Sequence, residues 1–144
     1  ILRTIVVFGL GEKLSKGNIV LWAKGTLEKG DPLNIIDDQF RAPTLAEDLA
    51  DICILAAKKK ALGIFNASGK DVMSILELVN RVADFFNLDK SSITPIKSTT
   101  LNQAAKRPPK TGFVLDKAIR ELGYNPATFE EGLAIVAQEL ELVE

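Results

Sequence analysis

The sequence predicts an α/β fold in which buried strands of a parallel sheet alternate with helices. Apolar runs of strand length occupy residues 1–8 and 62–69, and neither run alternates with polar residues as a half-exposed strand would. Segments with apolar side chains at helical spacing follow each run. With 47% apolar and 26% charged residues among 144, the chain has the composition of a packed globular protein.

The first part of the chain predicts a strand, a helix and a second strand. Residues 1–8 form the first strand, and residues 19–28 carry apolar side chains at helical spacing. Lys29-Gly30-Asp31-Pro32 then predicts a helix end and a turn, because glycine and proline both stop helices. A short strand over residues 33–36 follows.

Three Ser/Thr-x-x-Glu pairs predict capping boxes, in which each residue bonds to the backbone N–H of the other. They are Thr44 with Glu47, Ser74 with Glu77, and Thr128 with Glu131. The elements predicted after residue 44 are a helix to about residue 60, a buried strand at 62–69, a helix from 74 to about 87, a strand at 93–97, a surface loop at 98–112, and helices at 116–122 and 128–142.

Charge and composition exclude several classes of partner and site. The formal net charge is −1, from 18 basic and 19 acidic residues, so no overall field attracts nucleic acid. Histidine is absent and Cys53 is the single cysteine, which excludes a histidine general base and a zinc site. Cys53 lies among apolar residues at helical spacing, and we expect it to be a buried small hydrophobe.

Two expectations concern the cellular location of the protein and whether the chain is part of a longer one. The chain has neither a run of about 20 apolar residues nor a signal-peptide pattern, so we expect a cytoplasmic protein with no membrane partner. Ile1 begins directly in a strand-forming run, and about four short strands would make an incomplete sheet. We therefore expect the chain to be part of a longer protein.

Two short motifs have residues that suit phosphate binding. Gly9-Leu10-Gly11 follows a strand, as the dinucleotide fingerprint does, but Leu14 stands where the third glycine is expected, so a flexible turn is favoured. Arg107 lies between Lys106 and two prolines, and a guanidinium on a stiff turn suits bidentate contact with a phosphate. A surface arginine held by prolines is the alternative, and residue chemistry leaves both open.

For other polar residues, the sequence predicts structural roles. Tyr124 has no lysine one helical turn away to activate it, so we expect a structural anchor. Asp37 and Asp38 are neighbours on a loop, and adjacent side chains after a strand point in opposite directions. We expect a solvated turn there rather than a shared catalytic task.

Five segments occur in the order and spacing of one enzyme family. They are Leu2-Arg3-Thr4 to Phe8-Gly9; Asn18-Ile19-Val20; Asp38-Gln39 with Pro43-Thr44 and Asp48-Leu49-Ala50; Gly63 to Gly69; and Arg107-Pro108 with Leu115 and Lys117. Together they resemble the C-terminal half of the dTDP-4-dehydrorhamnose reductases, members of the extended short-chain dehydrogenase/reductase group. The resemblance covers nearly the whole chain.

The resemblance implies the fold and the place of this chain in it. Residues 1–144 would be the C-terminal substrate-binding part of an NAD(P)-binding Rossmann-type protein, including a few strands and helices that complete its Rossmann lobe. The N-terminal cofactor lobe would be absent from this chain. The family's glycine-rich fingerprint and Tyr-x-x-x-Lys catalytic pair lie upstream, so NADPH or NADH would bind mainly there and no catalytic residue is expected in this segment.

The resemblance also implies a function and its binding residues. The whole enzyme would reduce a dTDP-4-keto-6-deoxy sugar with hydride from the nicotinamide, while this chain holds the nucleoside diphosphate sugar. Arg107 is the first candidate for the diphosphate, and Asn18, Gln39 and Thr44 are candidates for the sugar or nucleotide pocket. Arg41 stands where the family commonly has glycine. It either serves a differently substituted or more acidic sugar or points to solvent, and the second is favoured.

Two alternative functions remain open within the same fold. One is a non-catalytic regulatory subunit that binds a partner protein, and the other is a sugar-nucleotide epimerase or dehydratase. An intact Tyr-x-x-x-Lys pair upstream would favour an enzyme, and its loss would favour the subunit. A homodimer is compatible with each function.

Overall fold

The structure is a computed structural model that describes residues 1–11, 17–100 and 107–143. In chain order its elements are β1 (Leu2–Arg3), β2 (Val7–Phe8), α1 (Ile19–Glu28), β3 (Leu33–Ile36), β4 (Phe40–Arg41), β5 (Thr44–Leu45), α2 (Ala46–Lys58), β6 (Phe65–Asn66), β7 (Met73–Ser74), α3 (Ile75–Phe85), β8 (Ile93–Ile96), a 3-10 turn (Ser98–Thr100), α4 (Asp116–Leu122) and α5 (Phe129–Val143). The described residues form a first unit of residues 1–11, 42–72 and 112–143, and a second unit of residues 17–41, 73–100 and 107–111.

The first unit contains two parallel strand pairs. β1 pairs with β6, so that Leu2 lies opposite Phe65, and β2 pairs with β5. The parallel pairing that the apolar runs predicted is confirmed. The predicted strand lengths are wrong, because Val6 has a φ of 43° that interrupts the extended backbone over residues 1–8, and the strand predicted at 62–69 is reduced to β6.

The core of the first unit brings together α2, β6 and α4. Its buried members are Ile52, Phe65, Ala67, Leu115, Ala118, Leu122 and Tyr124. The Tyr124 hydroxyl is buried and donates a hydrogen bond of 3.0 Å to the Ser68 carbonyl. Burial raises the pKa of this hydroxyl, so Tyr124 stays a neutral hydrogen-bond donor. The structural anchor predicted for this residue is confirmed.

The prediction that Cys53 is buried is wrong. Cys53 is exposed on α2, whereas the adjacent Ile52 is fully buried. Consecutive helical residues point about 100° apart, because a turn holds 3.6 residues. The apolar stripe of α2 is wider than the face that the core covers, and Ile54 is exposed as well.

Two of the three predicted capping boxes have the expected cap. At α5, the Glu131 N–H donates to Thr128 Oγ1 at 3.2 Å, and the Thr128 N–H donates to Glu131 Oε2 at 2.7 Å. At α3, Ser74 Oγ accepts a hydrogen bond of 3.0 Å from the Glu77 N–H. These bonds satisfy N–H groups that the start of a helix leaves open.

The capping box predicted for Thr44 and Glu47 is wrong. Thr44 lies in β5, and its hydroxyl donates a hydrogen bond of 2.7 Å to the Ile5 carbonyl. The helix α2 begins after Leu45, without a side-chain cap. Because its hydroxyl is bonded to the Ile5 carbonyl, Thr44 is not available to cap the helix.

The second unit contains one parallel and one antiparallel strand pair. β3 and β8 are parallel over their full length, with Leu33 opposite Ile93, and α3 packs on both β3 and α1. β4 is antiparallel to β7, so that Arg41 lies opposite Met73. The bounds predicted for α1, β3 and α4 are confirmed residue by residue.

The acidic pair after β3 is bound to the end of β8. The Asp37 carboxylate lies 2.8 Å from Lys97 Nζ. The Asp38 carboxylate accepts hydrogen bonds from the Ser98 N–H at 3.0 Å and from its hydroxyl at 2.9 Å. The predicted solvated turn is corrected, because both carboxylates tie this loop to residues 97 and 98.

The backbone packs very closely after β6. A Cβ atom on Gly69 would lie 2.0 Å from the Pro43 carbonyl oxygen. This oxygen belongs to the backbone, which cannot rotate away as the end of a side chain could. Gly25 in α1 is the opposite case, because no heavy atom lies within 4 Å of its Cβ position.

We expect Gly69→Ala to destabilise the protein by about 3 kcal/mol, the upper end of the usual cost of overpacking. Gly25→Ala should stabilise it by about 0.5–1 kcal/mol, because alanine favours a helix over glycine. The free energy of unfolding in urea measures both effects. A Gly69→Ala variant as stable as the wild type would contradict the close contact with Pro43.

Two carboxyl groups, one on α2 and one on α5, have buried oxygen atoms. Glu47 and Glu139 lie near each other, and within the described part of the chain the Oε2 atom of each is buried without a hydrogen-bond partner. Burial is the main cause that raises the pKa of Glu47, and the nearby Glu139 raises it further. The folded protein therefore favours the protonated form of Glu47 more than the unfolded chain does.

We expect Glu47→Gln to reduce the loss of stability with rising pH. The folded protein holds the proton more tightly than the unfolded chain, so stability falls as the pH rises from the ordinary glutamate pKa of about 4.3 through the raised pKa of Glu47. Glutamine does not titrate, so the substitution removes this pH-dependent contribution to stability. Urea unfolding at a series of pH values measures the effect, with the exposed Glu141→Gln as control. Equal pH dependence in Glu47→Gln and wild type would contradict the raised pKa of Glu47.

Candidate functional site

The four residues predicted to bind substrate are divided between the two units. Asn18, Gln39 and Arg107 lie in the second unit, and Thr44 lies in the first. Lys106, which adjoins the predicted phosphate-binding arginine, lies outside the described residues.

Asn18 caps α1. Its Oδ1 atom accepts hydrogen bonds of 3.1 Å from the N–H groups of Val20 and Leu21. Asparagine favours this position because its side chain satisfies N–H groups at the start of a helix. Asn18 therefore has a structural role, and the ligand contact expected for it stays a prediction.

Thr44 is fully buried in β5. Besides donating to the Ile5 carbonyl, its hydroxyl accepts a hydrogen bond of 3.3 Å from the Thr4 hydroxyl. These bonds tie β5 to the segment between β1 and β2. The pocket-lining role expected for Thr44 also stays a prediction.

Gln39 and Arg41 form a hydrogen-bonded pair at β4. Gln39 is 6% exposed, and its Oε1 atom accepts a hydrogen bond of 2.8 Å from Arg41 Nη2. Arg41 Nη1 donates to the carbonyls of Phe40 at 2.6 Å and Pro109 at 3.4 Å. The favoured expectation that Arg41 points to solvent is corrected, because these bonds hold the half-buried side chain against the protein. Residues two apart in extended chain share a face, and this spacing is the sequence signal for the contact.

Phe40 connects β4 to the segment that carries Arg107. The Phe40 N–H donates to the Pro109 carbonyl at 2.7 Å, and the Phe40 carbonyl accepts from the Thr111 N–H at 3.0 Å. These bonds form a parallel bridge between Phe40 and Lys110. Arg107 precedes this bridge by a few residues and is exposed.

Arg41 and Arg107 form a pair of like charges. Burial is the main cause that lowers the pKa of Arg41, and the positive charge of Arg107 lowers it further. Among the described residues, neither guanidinium forms an ion pair with a carboxylate. Two neighbouring guanidinium groups without a counter-charge suit an anion, and their planar shape suits phosphate oxygens.

A pocket in the first unit is a poorer candidate. Its lining residues are Phe8, Pro43, Leu45, Asp48, Gly69, Lys70, Asp71, Ala127, Thr128 and Phe129. Its cavity volume of about 10 Å³ is far below the range of roughly 300 to 1,000 Å³ that is usual for ligand sites. Asp48 accepts a hydrogen bond of 2.9 Å from the Ala127 N–H, and Asp71 accepts one of 2.8 Å from the Phe129 N–H. These carboxylates fix the start of α5.

The glycine after β2 is explained by local packing. A Cβ atom on Gly9 would lie 2.9 Å from the Ala46 Cβ atom, and its φ of 153° is one that side-chain-bearing residues rarely adopt. Packing against α2 therefore explains this glycine without a pyrophosphate. Leu14, at the position of the third fingerprint glycine, lies outside the described residues.

The remaining described residues add no further site of these kinds. No group of three or more histidine, cysteine, aspartate or glutamate side chains among them is arranged to hold a metal ion. In the same residues, no helix has the length and apolar character needed to cross a membrane. The arginine pair is the strongest candidate site in the described part of the chain.

Solved structures share this fold. The dTDP-4-dehydrorhamnose reductase of Bacillus anthracis, in complex with NADP, superposes with a TM-score of 0.84 at 22% identity, over 96% of this chain and 47% of that chain. The UDP-glucuronic acid 4-epimerase of Bacillus cereus, in complex with UDP-glucuronic acid and NAD, gives 0.77 at 21% identity, over 99% and 45%. These likenesses confirm the predicted α/β fold.

Curated relatives and a family model complete the comparison. Methionine adenosyltransferase 2 subunit beta of Rattus norvegicus is 31% identical over 133 residues, which are 89% of this chain and 39% of that protein. The spore coat polysaccharide biosynthesis protein SpsK of Bacillus subtilis is 26% identical over 141 residues, or 96% and 47%. The chain thus spans less than half the length of these relatives. Because the family model of the RmlD substrate binding domain matches residues 1–142, the chain belongs to that family, and its predicted likeness to dTDP-4-dehydrorhamnose reductases is confirmed.

Proposed function

We propose that this chain is the sugar-nucleotide-binding part of an NAD(P)H-dependent reductase of dTDP-4-keto-6-deoxy sugars. The observation that carries the proposal is the arginine pair, because Arg41 and Arg107 offer two positive charges with no carboxylate partner among the described residues. The diphosphate of a nucleoside diphosphate sugar is an anion of matching chemistry. Membership in a substrate-binding domain family supports the same role.

Arg107 is the residue that would contact the diphosphate. It is exposed on a segment that the Phe40 backbone holds in place. Gln39 would hold Arg41 beside it through their hydrogen bond. Asn18 and Thr44 are weaker candidates for the sugar or nucleotide, because their side-chain oxygens already bond within the protein.

The chemical step would depend on the rest of the protein. These residues contain no Tyr-x-x-x-Lys pair, so this segment alone should be inactive. NADPH or NADH, bound mainly by an N-terminal lobe, would supply hydride for the 4-keto group. This chain would hold the sugar nucleotide in the orientation that such a transfer requires. The whole enzyme would work in the cytoplasm, and a homodimer is compatible with this arrangement.

A non-catalytic subunit is the second candidate function. It is favoured by the relatives named methionine adenosyltransferase 2 subunit beta, which are 31% identical in the rat. A sugar-nucleotide epimerase or dehydratase is the third candidate function, because a UDP-glucuronic acid 4-epimerase is among the structural neighbours. An upstream Tyr-x-x-x-Lys pair would favour an enzyme, and its loss would favour the subunit.

We expect the full-length protein that contains this segment to oxidise NADPH or NADH when a dTDP-4-keto-6-deoxy sugar is added. Loss of absorbance from the reduced cofactor measures the reaction. The segment alone should give no turnover, because it lacks the catalytic pair. A folded full-length protein without turnover would contradict the reductase proposal and favour the subunit.

We expect Arg107→Ala in the full-length protein to weaken binding of the sugar nucleotide by about 1.5–3 kcal/mol, the usual worth of a hydrogen bond to a charged group. Calorimetric titration measures the affinity, and thermal unfolding should be unchanged. Arg120→Ala is a matched control, because Arg120 is exposed on α4 and pairs only with Glu121 among the described residues. Unchanged affinity in Arg107→Ala would contradict the assignment.

A further inference from the structure

The turn between β1 and β2 has a strained backbone. Val6 has a φ of 43°, which lies in the left-handed region. Glycine and asparagine enter this region readily, whereas a β-branched residue is a genuine outlier there. Such conformations occur mainly at ligand sites and persist only where the surrounding structure enforces them. Neighbouring groups must therefore hold Val6 in this conformation.

Thr44 supplies the bonds that hold the turn. Its N–H donates to the Val6 carbonyl at 3.0 Å, and its hydroxyl donates to the Ile5 carbonyl at 2.7 Å. The same hydroxyl accepts a hydrogen bond of 3.3 Å from the Thr4 hydroxyl. Three successive residues of the turn are thus bonded to one residue. Because Thr44 is fully buried, the low local dielectric strengthens these bonds.

The turn lies at the end of a strand where ligands bind in folds of this class. β1 is parallel to β6, and the chain runs from the carboxyl end of β1 directly into Thr4, Ile5 and Val6. Open α/β sheets bind their ligands in the crevice outside the carboxyl ends of their strands. Ile5 and Val6 are both half-buried, so part of each remains accessible to a ligand.

Fold stability alone does not account for a valine at position 6. Glycine would adopt the same φ at a lower cost, and the bonds from Thr44 would remain, because they go to backbone carbonyls and to Thr4. Valine has fewer alternative backbone conformations than glycine, so it makes the turn more rigid. A rigid turn reduces the entropy lost when a ligand binds and keeps the reacting groups oriented.

We infer that Val6 and Thr44 are positioning residues for the sugar nucleotide, in which Thr44 sets the shape of the turn and Val6 keeps it rigid. The inference rests on the proposed function for the class of ligand. Thr44 acts here through the turn rather than by direct contact, since its hydroxyl already bonds to Ile5 and Thr4. The sugar nucleotide is favoured over the nicotinamide cofactor, because the chain belongs to a substrate-binding domain family.

The test is steady-state kinetics of the full-length protein with a dTDP-4-keto-6-deoxy sugar and NADPH. We expect Val6→Gly to lower kcat/KM for the sugar nucleotide about tenfold or more, because small misplacements of a bound substrate reduce rates strongly. Its melting temperature should stay within about 4 °C of the wild type, because relief of the strain offsets the lost side-chain contacts. Lys60→Gly is the matched control. Lys60 has a similar φ of 49° in the turn after α2, and this variant should keep the wild-type kcat/KM.

Two variants at position 44 separate positioning from fold stability. Thr44→Val keeps the shape of the side chain and the N–H bond to Val6, but it removes the hydroxyl. We expect it to lower kcat/KM for the sugar nucleotide about tenfold, and Thr44→Ser, which keeps the hydroxyl, to lose less. A lower melting temperature in Thr44→Val with an unchanged kcat/KM would indicate a purely structural role and overturn the inference.

The remaining outcomes separate the inference from the proposed function. If the wild-type protein reduces the sugar and Val6→Gly is equally active, the inference is overturned and the proposed function stands. A change confined to the KM for NADPH would assign the turn to the cofactor and overturn the inference for the sugar nucleotide. If the wild-type protein gives no turnover, both are overturned.

Discussion

The arginine pair depends on the backbone of one residue. Phe40 uses its N–H and its carbonyl to bond to Pro109 and Thr111, and it also pairs with β7 on its other side. Through these bonds, and a contact that spans 68 positions of sequence, Arg41 meets the segment of Arg107. Side chains of strongly charged residues rarely draw separate segments together by themselves, because solvent screens them. The two arginines are therefore brought together mainly by backbone hydrogen bonds, which do not depend on the charges of the guanidinium groups.

Local signals account for the elements that sequence analysis predicted well. The glycine at position 123 has the left-handed φ of 76° that ends α4, and reciprocal hydrogen bonds between Thr128 and Glu131 begin α5. These features depend only on neighbouring residues. The strands were harder to predict, because the positive φ of Val6 has no local signal in a β-branched residue, and the pairing partner of each strand lies far along the chain.

The same distinction explains the errors at Cys53 and Thr44. Helical spacing identifies an apolar stripe, but it does not say how much of that stripe a core covers, and Cys53 lies beyond the covered part. A threonine followed three residues later by glutamate suits a capping box. The hydroxyl of Thr44 instead bonds to Ile5, which lies between β1 and β2 and is a partner that local spacing does not reveal.

Single residues of the candidate site could be predicted from the sequence, but not which of them lie close together. Arg107 could be proposed from guanidinium chemistry and its prolines, and Gln39 from its place in a recognisable segment. The contact between Gln39 and Arg41 follows from strand spacing. The nearness of Arg41 to Arg107 does not follow from any local pattern, because it requires the pairing of β4 with residues 109–111.

The acceptors that hold Arg41 have an evolutionary consequence. Two of the three are backbone carbonyls, of Phe40 and Pro109, which are present whatever side chains those positions carry. These two acceptors for a long basic side chain therefore remain in place when the residues at positions 40 and 109 are mutated. Position 41 can gain or lose a charge through a single codon change while the surrounding backbone stays paired. If the arginine pair binds the diphosphate as proposed, a change at this one position would alter the charge that the ligand meets without altering the fold.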